Sequence, residues 1–280
     1  MTKRRFFPTL SCLAVAGICL AATAAHSADM PQLPQAIKDK GAIVVGTKCD
    51  YPPEGYLDTS GKAIGIEVNM AHKIAEYAFG PGTKAKIECV TTANRVPSLI
   101  GGKIDLIIAT MGVNKKRAEV VDFTEAYAWS ASSVLVMEDS PIKALDDLKG
   151  KKVIFVKGAW QIPWFEKNYP DIEHMRLNTV SEALQALMQG RAVGYAHDLP
   201  VQLGLAAKND KIRLLDQQYK IGIRAAAVRP GEKEWLAYVN ACLDKMKAEG
   251  VFPVWIKEFV DPAQQAEKLL FWDMSKKPAS

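Results

Sequence analysis

The chain has 280 residues, of which 49% are hydrophobic and 24% charged, and its formal net charge is +5. This length suits two lobes or one large domain with a buried core. No basic tract is interleaved with aromatic residues, which argues against nucleic-acid binding. No stretch beyond the N-terminal segment has the length and apolar purity of a membrane span. Without three cations near the N-terminus, 33 basic residues face 31 acidic ones, a net charge of +2.

The first 27 residues have the features of a secretory signal peptide. Lys3, Arg4 and Arg5 precede an apolar stretch over 10–25, and small residues follow up to Ser27. This order predicts export and cleavage after Ser27. The apolar run is short for a membrane anchor, and a polar segment with two prolines follows it. We therefore expect residues 1–27 to be removed and the mature protein to be soluble, without a lipid anchor.

Three cysteines, Cys49, Cys89 and Cys242, lie beyond the predicted signal peptide. An odd number in an oxidising compartment leaves at least one of them free. Cys49 follows the first predicted strand and Cys89 lies in the second, so a disulfide is feasible if these strands are parallel neighbours; the sequence leaves this open. Cys242 lies on an apolar helical face, which predicts a buried thiol. No CxxC occurs and the four histidines are scattered, so the sequence indicates no metal site.

The first half of the mature chain alternates predicted strands and helices. Glycines bound an apolar strand over 41–46, and apolar residues recur at helical spacing over 66–79. Two further strands, over 84–90 and 104–109, flank a short helix over 95–100. Strands that alternate with helices are typical of parallel α/β units.

An unusually basic helix start follows the strand over 104–109. Asn114 is a good N-cap, and Lys115, Lys116 and Arg117 then occupy the first turn. Cations at a helix N-terminus cost roughly 0.3–1 kcal/mol each. We interpret Lys115 and Lys116 as a solvated basic patch. Arg117 differs if its side chain turns back over the strand end, because the guanidinium and the helix N-terminus would then face a small anion.

The second half repeats this architecture without repeating the sequence. Strands are predicted over 132–137, 151–156, 190–198 and 221–228, and helices over 145–150, 181–189, 235–246 and 252–259. Thr110, Gly158 and Asp198 all lie at the carboxyl ends of predicted strands. Ligands of open α/β sheets bind beyond such ends, so we expect these residues to face one cleft between two α/β lobes.

Five segments, in this order, resemble the bacterial extracellular solute-binding proteins of family 3, the periplasmic polar amino-acid-binding proteins of ABC transporters. The segments are GTKCDYPPEGY, GIEVNMAHKIAE, NRVPSLIGGKIDLIIATMGVNKKRAEVVDFTEAY, DLKGKKVIFVKGAW and ALQALMQGRAVGYAHDLP. Each segment alone is weak evidence, but five in the right order and spacing are specific. The resemblance covers nearly the whole mature chain.

The resemblance implies an α/β protein with the two-lobe periplasmic-binding-protein type II fold and two hinge crossings. Lobe 1 would be discontinuous, comprising residues 28–131 and 225–280, and lobe 2 would comprise residues 132–224. Such lobes close around a ligand by hinge motion. The resemblance also implies a periplasmic location.

The resemblance also implies the ligand-binding residues. Arg117 matches the arginine that clamps the ligand α-carboxylate, and Asp198 matches the carboxylate that receives the α-ammonium. Backbone groups near Thr110 and Gly112 would complete these contacts, and Tyr51 would pack on the ligand side chain. An arginine and an aspartate from different lobes suit a zwitterion, because each charge is costly to bury alone.

Arg95 has two alternative interpretations. In the family's acidic-amino-acid binders, an arginine at this place contacts the side-chain carboxylate of the ligand. Alternatively, Arg95 is a helix N-terminal arginine bonded to neighbouring backbone. The sequence leaves both open.

The chain departs from the family pattern at several positions. Gly112, Asn114 and Ala159 stand where the family usually has hydroxyl residues, and Val193 replaces an aspartate. Lost hydroxyl donors could cost on the order of 1 kcal/mol each. Trp160, directly after Ala159, is unusual, and we expect both residues to line the cleft. These changes weaken the expectation of a standard α-amino acid but not that of the fold.

The resemblance implies a receptor of an ABC importer that binds a polar amino acid, acidic if Arg95 takes part, or a similar small zwitterion or anion. It would act as a monomer with an inner-membrane permease and without a cofactor or nucleic acid. The related cyclohexadienyl dehydratases carry a catalytic glutamate where this chain has Val201, so we expect no enzyme. A periplasmic accessory or sensory protein, for a non-amino-acid ligand or a protein partner, stays the alternative.

Overall fold

The computed structural model describes residues 30–278. The predicted signal peptide lies outside the described residues. The helices are α1 (Gln35–Lys40), α2 (Ile66–Phe79), α3 (Arg95–Ile100), α4 (Lys115–Ala118), α5 (Ile162–Asn168), α6 (Val180–Met188), α7 (Leu199–Ala206), α8 (Lys233–Ala248), α9 (Val251–Phe259) and α10 (Pro262–Trp272). The strands are β1 (Val44–Thr47), β2 (Asp50–Tyr51), β3 (Gly55–Leu57), β4 (Ala63–Ile64), β5 (Lys86–Cys89), β6 (Leu106–Ile107), β7 (Asp122–Met137), β8 (Lys152–Val156), β9 (Glu173–Leu177), β10 (Gly194–Asp198), β11 (Ile212–Leu214) and β12 (Tyr219–Val228).

The main sheet joins two parallel halves through two long antiparallel strands. Its order is β5-β1-β6-β12-β7-β10-β8-β9, and β11 pairs with β7. β1 is parallel to β5 and β6, while β8 is parallel to β9 and β10. β7 and β12 pair antiparallel across the centre, so the chain crosses between the halves twice. This is the expected α/β two-lobe arrangement.

Each half of the sheet has its own hydrophobic core. One core surrounds α2 and α8 and includes Met70, Ile74 and Val239. The other surrounds β8 and α6 and includes Phe155 and Leu187. The apolar spacing that predicted α2 and α6 is the buried face of these helices, as expected for amphipathic helices on a sheet. The lobe boundaries at 131/132 and 224/225 stay a prediction.

Cys49 and Cys89 form a disulfide, with their Cα atoms 5.4 Å apart. The two strands concerned are parallel neighbours, in a register that pairs Thr47 with Cys89. The sequence made this disulfide depend on the two strands being parallel neighbours, and they are. Cys242 is a free, buried thiol as predicted, and burial raises its pKa to about 12. It is thus a core residue rather than a nucleophile.

Several elements differ from the sequence prediction, which did not include helices α1, α5, α7 and α10 or strands β2, β3, β4, β9 and β11. The strand expected over 132–137 is the second part of β7, which begins ten residues earlier at Asp122. The first part of β7 carries Thr, Glu and Ser among aromatic residues, so the sequence there shows no apolar run that would predict a strand. This part is a strand because it pairs with β12. Helix α10 was not predicted, although Asp261 caps it and Pro262 stands at its first position. Within residues 30–278, none of the helices combines the length and apolarity of a membrane span.

Candidate functional site

A small cavity of about 10 Å³ lies between the two halves of the sheet. It is lined by Thr92, Arg95, Thr110, Gly112, Arg117, Ala159, Trp160, Gln161, His197 and Asp198. Seven of the eight predicted site residues are in this set, and the eighth, Tyr51, contacts Asp198 directly. The volume is close to that of one water molecule, so protein side chains fill most of the cleft. In residues 30–278, no three His, Cys, Asp or Glu side chains are grouped as metal ligands would be.

Arg117 joins the two sides of the cleft. Asn114 caps α4 by accepting a hydrogen bond from the Arg117 backbone N–H, which sets the arginine at the helix start. The guanidinium donates to the carbonyl of Gly112 on one side and, over 2.9 Å, to that of Gly158 on the other. Burial lowers the pKa of Arg117, and the Asp198 charge partly opposes this. Among the described residues, no carboxylate lies within salt-bridge distance of this cation.

Arg95 is a second cation at the same cavity, and unlike Arg117 it is fully buried. It is 2% exposed, and its guanidinium donates to the carbonyl of Ala109, fourteen residues further along the chain. Its Nε is buried and has no partner in the described part of the chain. Burial, and then the nearby Arg117, lowers the pKa of Arg95 to about 9. The contact is to the backbone just after β6 rather than to the neighbouring backbone of α3, and Arg95 lines the cavity.

Asp198, at the end of β10, is surrounded by hydrogen-bond donors of the protein. Its Oδ1 accepts from Trp160 Nε1 at 2.6 Å and from Gln161 Nε2 at 2.7 Å. Its Oδ2 accepts from the Tyr51 hydroxyl at 2.8 Å. Tyr51 is 1% exposed and does not line the cavity. Tyr51 therefore orients Asp198, whereas the sequence prediction had it packing on the ligand.

A buried charge cluster lies behind Asp198, and the sequence analysis missed it. Glu54, Arg224 and Lys268 are 0%, 2% and 5% exposed. Glu54 Oε1 accepts from Arg224 Nη1 at 2.9 Å and from the Lys268 ammonium. Arg224 Nη2 also lies 3.8 Å from Asp198 Oδ2. The cluster thus connects the loop after β2, the crossing strand β12 and helix α10 to the cleft.

The charges around Asp198 and Glu54 keep both carboxylates ionised. Burial alone would raise the pKa of Asp198, but His197, Arg224 and the donated hydrogen bonds outweigh it and lower the pKa. In the same way Lys268 and Arg224 hold the pKa of Glu54 below its ordinary value despite burial. Charged residues are usually exposed to solvent, so the sequence gives no sign that Asp198 and Glu54 are buried. Only their pairing in the tertiary structure shows it.

Thr110, predicted to offer backbone groups to a ligand, and Ala159, predicted as a cleft residue, use their N–H groups within the protein. The Thr110 N–H donates to both oxygens of Glu67, at 3.0 and 2.9 Å, and the Tyr127 hydroxyl donates to Glu67 at 2.6 Å. Thr110 has a φ of 48°, a left-handed conformation that is costly for a β-branched residue. The Ala159 N–H donates to the Val156 carbonyl at 3.0 Å. Glu67 therefore holds the strained strand end of Thr110 in place.

We expect the free energy of unfolding of the Glu67→Gln variant to increase, relative to that of wild type, as the pH rises. Burial raises the pKa of Glu67 to about 7 from an ordinary 4.5. Between pH 4.5 and about pH 7, the folded protein therefore binds more protons than the unfolded chain. Its free energy of unfolding falls as the pH rises through this range. Urea unfolding at pH 5 and pH 8 should show the variant improving by about 1–3 kcal/mol relative to wild type. A difference that is the same at both pH values would contradict this.

A larger depression of about 490 Å³ lies away from the cleft, beside Lys40 and Trp235. Four of its charged residues form pairs: Lys40 contacts Asp105 at 2.7 Å and Arg229 contacts Glu232 at 2.8 Å. Its lining comes from one half of the sheet, whereas the small cavity collects residues from both halves. We therefore take the cleft as the functional site.

The structure has two lobes joined by two crossing strands, with an arginine and an aspartate lining the cleft between them. This is the architecture of a solute-binding protein. The model of the bacterial extracellular solute-binding proteins, family 3, matches residues 43–261. The chain belongs to this family. It is 33% identical over 235 residues to the ABC transporter glutamine-binding protein GlnH of Bacillus subtilis, covering 82% of this chain and 85% of GlnH.

Solved structures of the same architecture agree with this assignment. The solute receptor for L-cysteine of Neisseria gonorrhoeae matches with a TM-score of 0.80 and 30% identity, covering 88% of this chain and 98% of the receptor. An ancestral amino acid-binding protein, described as a precursor of cyclohexadienyl dehydratase, matches with a TM-score of 0.74 and 27% identity, covering 81% and 98%. The matched proteins named here are binding proteins and receptors, as expected for this family.

Proposed function

We propose that the protein is the periplasmic receptor of an ABC importer and captures a small polar solute that carries a carboxylate. The observation that carries this proposal is Arg117, a half-buried guanidinium that spans both sides of the cleft yet pairs with no carboxylate of the described residues. Removing water from such a cation as the cleft closes is costly unless an anion joins it. A ligand carboxylate would be that anion, and the planar guanidinium can bind it bidentately.

The ligand class follows from the residues beside Arg117. Asp198 would receive an ammonium group from an amino acid, and Arg95 would add a second cation for an acidic group. Relatives described as binding glutamine and L-cysteine support a polar amino acid or a similar small zwitterion or anion. Because the cleft residues come from both lobes, such a ligand binds the closed form better than the open one and so drives closure.

The surroundings of the cleft favour a receptor over an enzyme. Val201, at the position where the dehydratases carry their catalytic glutamate, is 1% exposed and packs in the core of the second lobe. It offers no general acid. The protein would act as a monomer and deliver its solute to an inner-membrane permease. A sensory or accessory role would use the same ligand without a permease.

The test is a thermal-shift screen of residues 28–280, refolded to remove any bound solute. The screen would compare amino acids, carboxylates without an amino group, and amines without a carboxylate. A ligand at 100 times its Kd adds about 2.7 kcal/mol of stability, a shift of roughly 5–10 °C for a chain of this size. We expect such shifts only from compounds with a carboxylate. Shifts from amines alone, or from none of the compounds, would overturn the proposal.

A further inference from the structure

The segment over residues 48–51 is fastened to one lobe and reaches into the other. It runs from the end of β1 into β2, and the disulfide between Cys49 and Cys89 ties it to β5. Tyr51 is 1% exposed and packs in the hydrophobic core that surrounds β8 and α6. Its hydroxyl donates to Asp198 of β10 at 2.8 Å. One residue of this segment is therefore buried in the core of the opposite lobe.

Asp50 makes a second contact between the lobes, and this contact lies outside the ligand cavity. Asp50 Oδ2 accepts a hydrogen bond at 3.2 Å from the backbone N–H of Val180, the first residue of α6. The first N–H groups of a helix have no partner within the helix, and a carboxylate there also meets the positive end of the helix dipole. Asp50 does not line the cavity, so it joins the lobes without contacting a ligand.

Lys48 holds the Asp50 carboxylate in place for this contact. Its ammonium contacts Asp50 Oδ1 at 2.7 Å, and the two side chains are 1% and 20% exposed. A buried ammonium is costly without an anion beside it, so Asp50 stays paired with Lys48 when the lobes separate. The carboxylate is therefore already oriented when the lobes meet again, and little conformational entropy is lost on closing.

We propose that the Asp50 carboxylate and the Val180 N–H form a latch that holds the closed form, so that Asp50 sets how long a ligand stays in the cleft. A ligand enters the open cleft and leaves when the lobes reopen. Without the latch the lobes reopen faster, so the dissociation rate constant rises, while the association rate constant stays nearly the same. This inference rests on the proposed function, because closure of the lobes retains the ligand.

The test removes each partner of the latch in turn and measures ligand kinetics by stopped-flow fluorescence on residues 28–280. Asp50→Ala removes the acceptor. Val180→Pro removes the donor, and proline is well tolerated at the first position of a helix. The preceding Thr179 has a φ of −128° and a ψ of 161°, which a following proline allows. The ligand is the solute with the largest shift in the thermal-shift screen.

Each variant should raise the dissociation rate constant about tenfold, because a hydrogen bond to a charged group contributes a factor of this size. The association rate constant should change less than about threefold, since most effects at an interface appear in dissociation. The double variant Asp50→Ala with Val180→Pro should dissociate no faster than either single variant, because both changes break the same contact. A loss of stability within one lobe would not produce this pattern.

Two control variants separate the latch from packing and from charge. Val180→Ala trims a side chain that is 2% exposed but keeps the backbone N–H. Asp58→Ala removes an exposed carboxylate that follows β3 and accepts hydrogen bonds from Ser60 and Lys62 in its own turn. Both controls should keep the wild-type dissociation rate constant. If Asp50→Ala and Val180→Pro also keep it, the latch is overturned and the proposed function stands.

A measurement without ligand tests the latch independently of the proposed function. Hydrogen exchange of the Val180 amide, followed by NMR in the ligand-free protein, should be at least about tenfold faster in Asp50→Ala than in wild type and in Asp58→Ala. Equal exchange rates in the three proteins would overturn the latch. If wild type binds none of the solutes in the screen, the proposed function is wrong, and this exchange measurement alone decides on the latch.

Discussion

Replacing Arg117 by alanine is expected to weaken binding of the carboxylate ligand at least about 100-fold while the protein stays folded. The guanidinium bridges the carbonyls of Gly112 and Gly158 across the cleft. A bound carboxylate would lose a bidentate, charge-assisted contact, and truncating one partner of such a buried pair costs roughly 2–5 kcal/mol. Arg117→Lys should be intermediate, because lysine keeps the charge but lacks the planar fork. Isothermal titration calorimetry with the ligand found in the screen measures the effect.

Lys116→Ala is the control for this prediction. Lys116 lies beside Arg117 in α4 and is exposed, so its loss removes a nearby charge without touching the cleft. It should change the affinity less than threefold at physiological ionic strength, since exposed charges are screened. If Arg117→Ala and Lys116→Ala weaken binding to the same extent, Arg117 acts only through the net charge and the site assignment is wrong. Thermal unfolding of both ligand-free variants would report whether the fold is retained.

Replacing Glu54 by alanine is expected to lower the free energy of unfolding by about 3–5 kcal/mol. Glu54 is fully buried, and its carboxylate pairs with both Arg224 and Lys268. Its removal leaves two buried cations without their shared anion, and breaking a buried ion pair from one side has a cost of this size. Urea unfolding of residues 28–280, followed by fluorescence and by circular dichroism, would measure the loss and show whether both lobes unfold together.

An exposed ion pair provides the matched control for Glu54. Glu88 contacts Lys103 at 2.6 Å, with their side chains 34% and 63% exposed. Glu88→Ala should therefore cost about 1 kcal/mol or less. Combining Glu54→Leu with Lys268→Met should recover part of the loss, because the double variant no longer buries Lys268 as an ammonium. No recovery, or a loss for Glu54→Ala as small as that for Glu88→Ala, would show that the buried cluster does not contribute as proposed.

Local patterns predicted six of the ten described α-helices, namely α2, α3, α4, α6, α8 and α9. The bounds of α2 and α3 match the predicted ranges, and Asn114 caps α4 as expected. Apolar periodicity and capping depend on neighbours within about four residues, so the sequence displays them directly. The same local reasoning placed Arg117 in the first turn of a helix and Asp198 at a strand end, and the fold brings both to one cavity. The ordered family segments then identified the two-lobe architecture.

The sequence by itself determined the elements with clear apolar periodicity, the two-lobe class and seven of the residues that line the cavity, whereas only the tertiary structure decided how the charges pair. Glu54 and Lys268 are 214 residues apart in the chain, and nothing near either one signals that they meet in the core. The same is true of Trp160, which lies 38 residues from Asp198 and satisfies it with its indole N–H. Hydrogen bonds and ion pairs of buried groups depend on distant elements meeting in space, and whether a charge is buried or solvated is decided there.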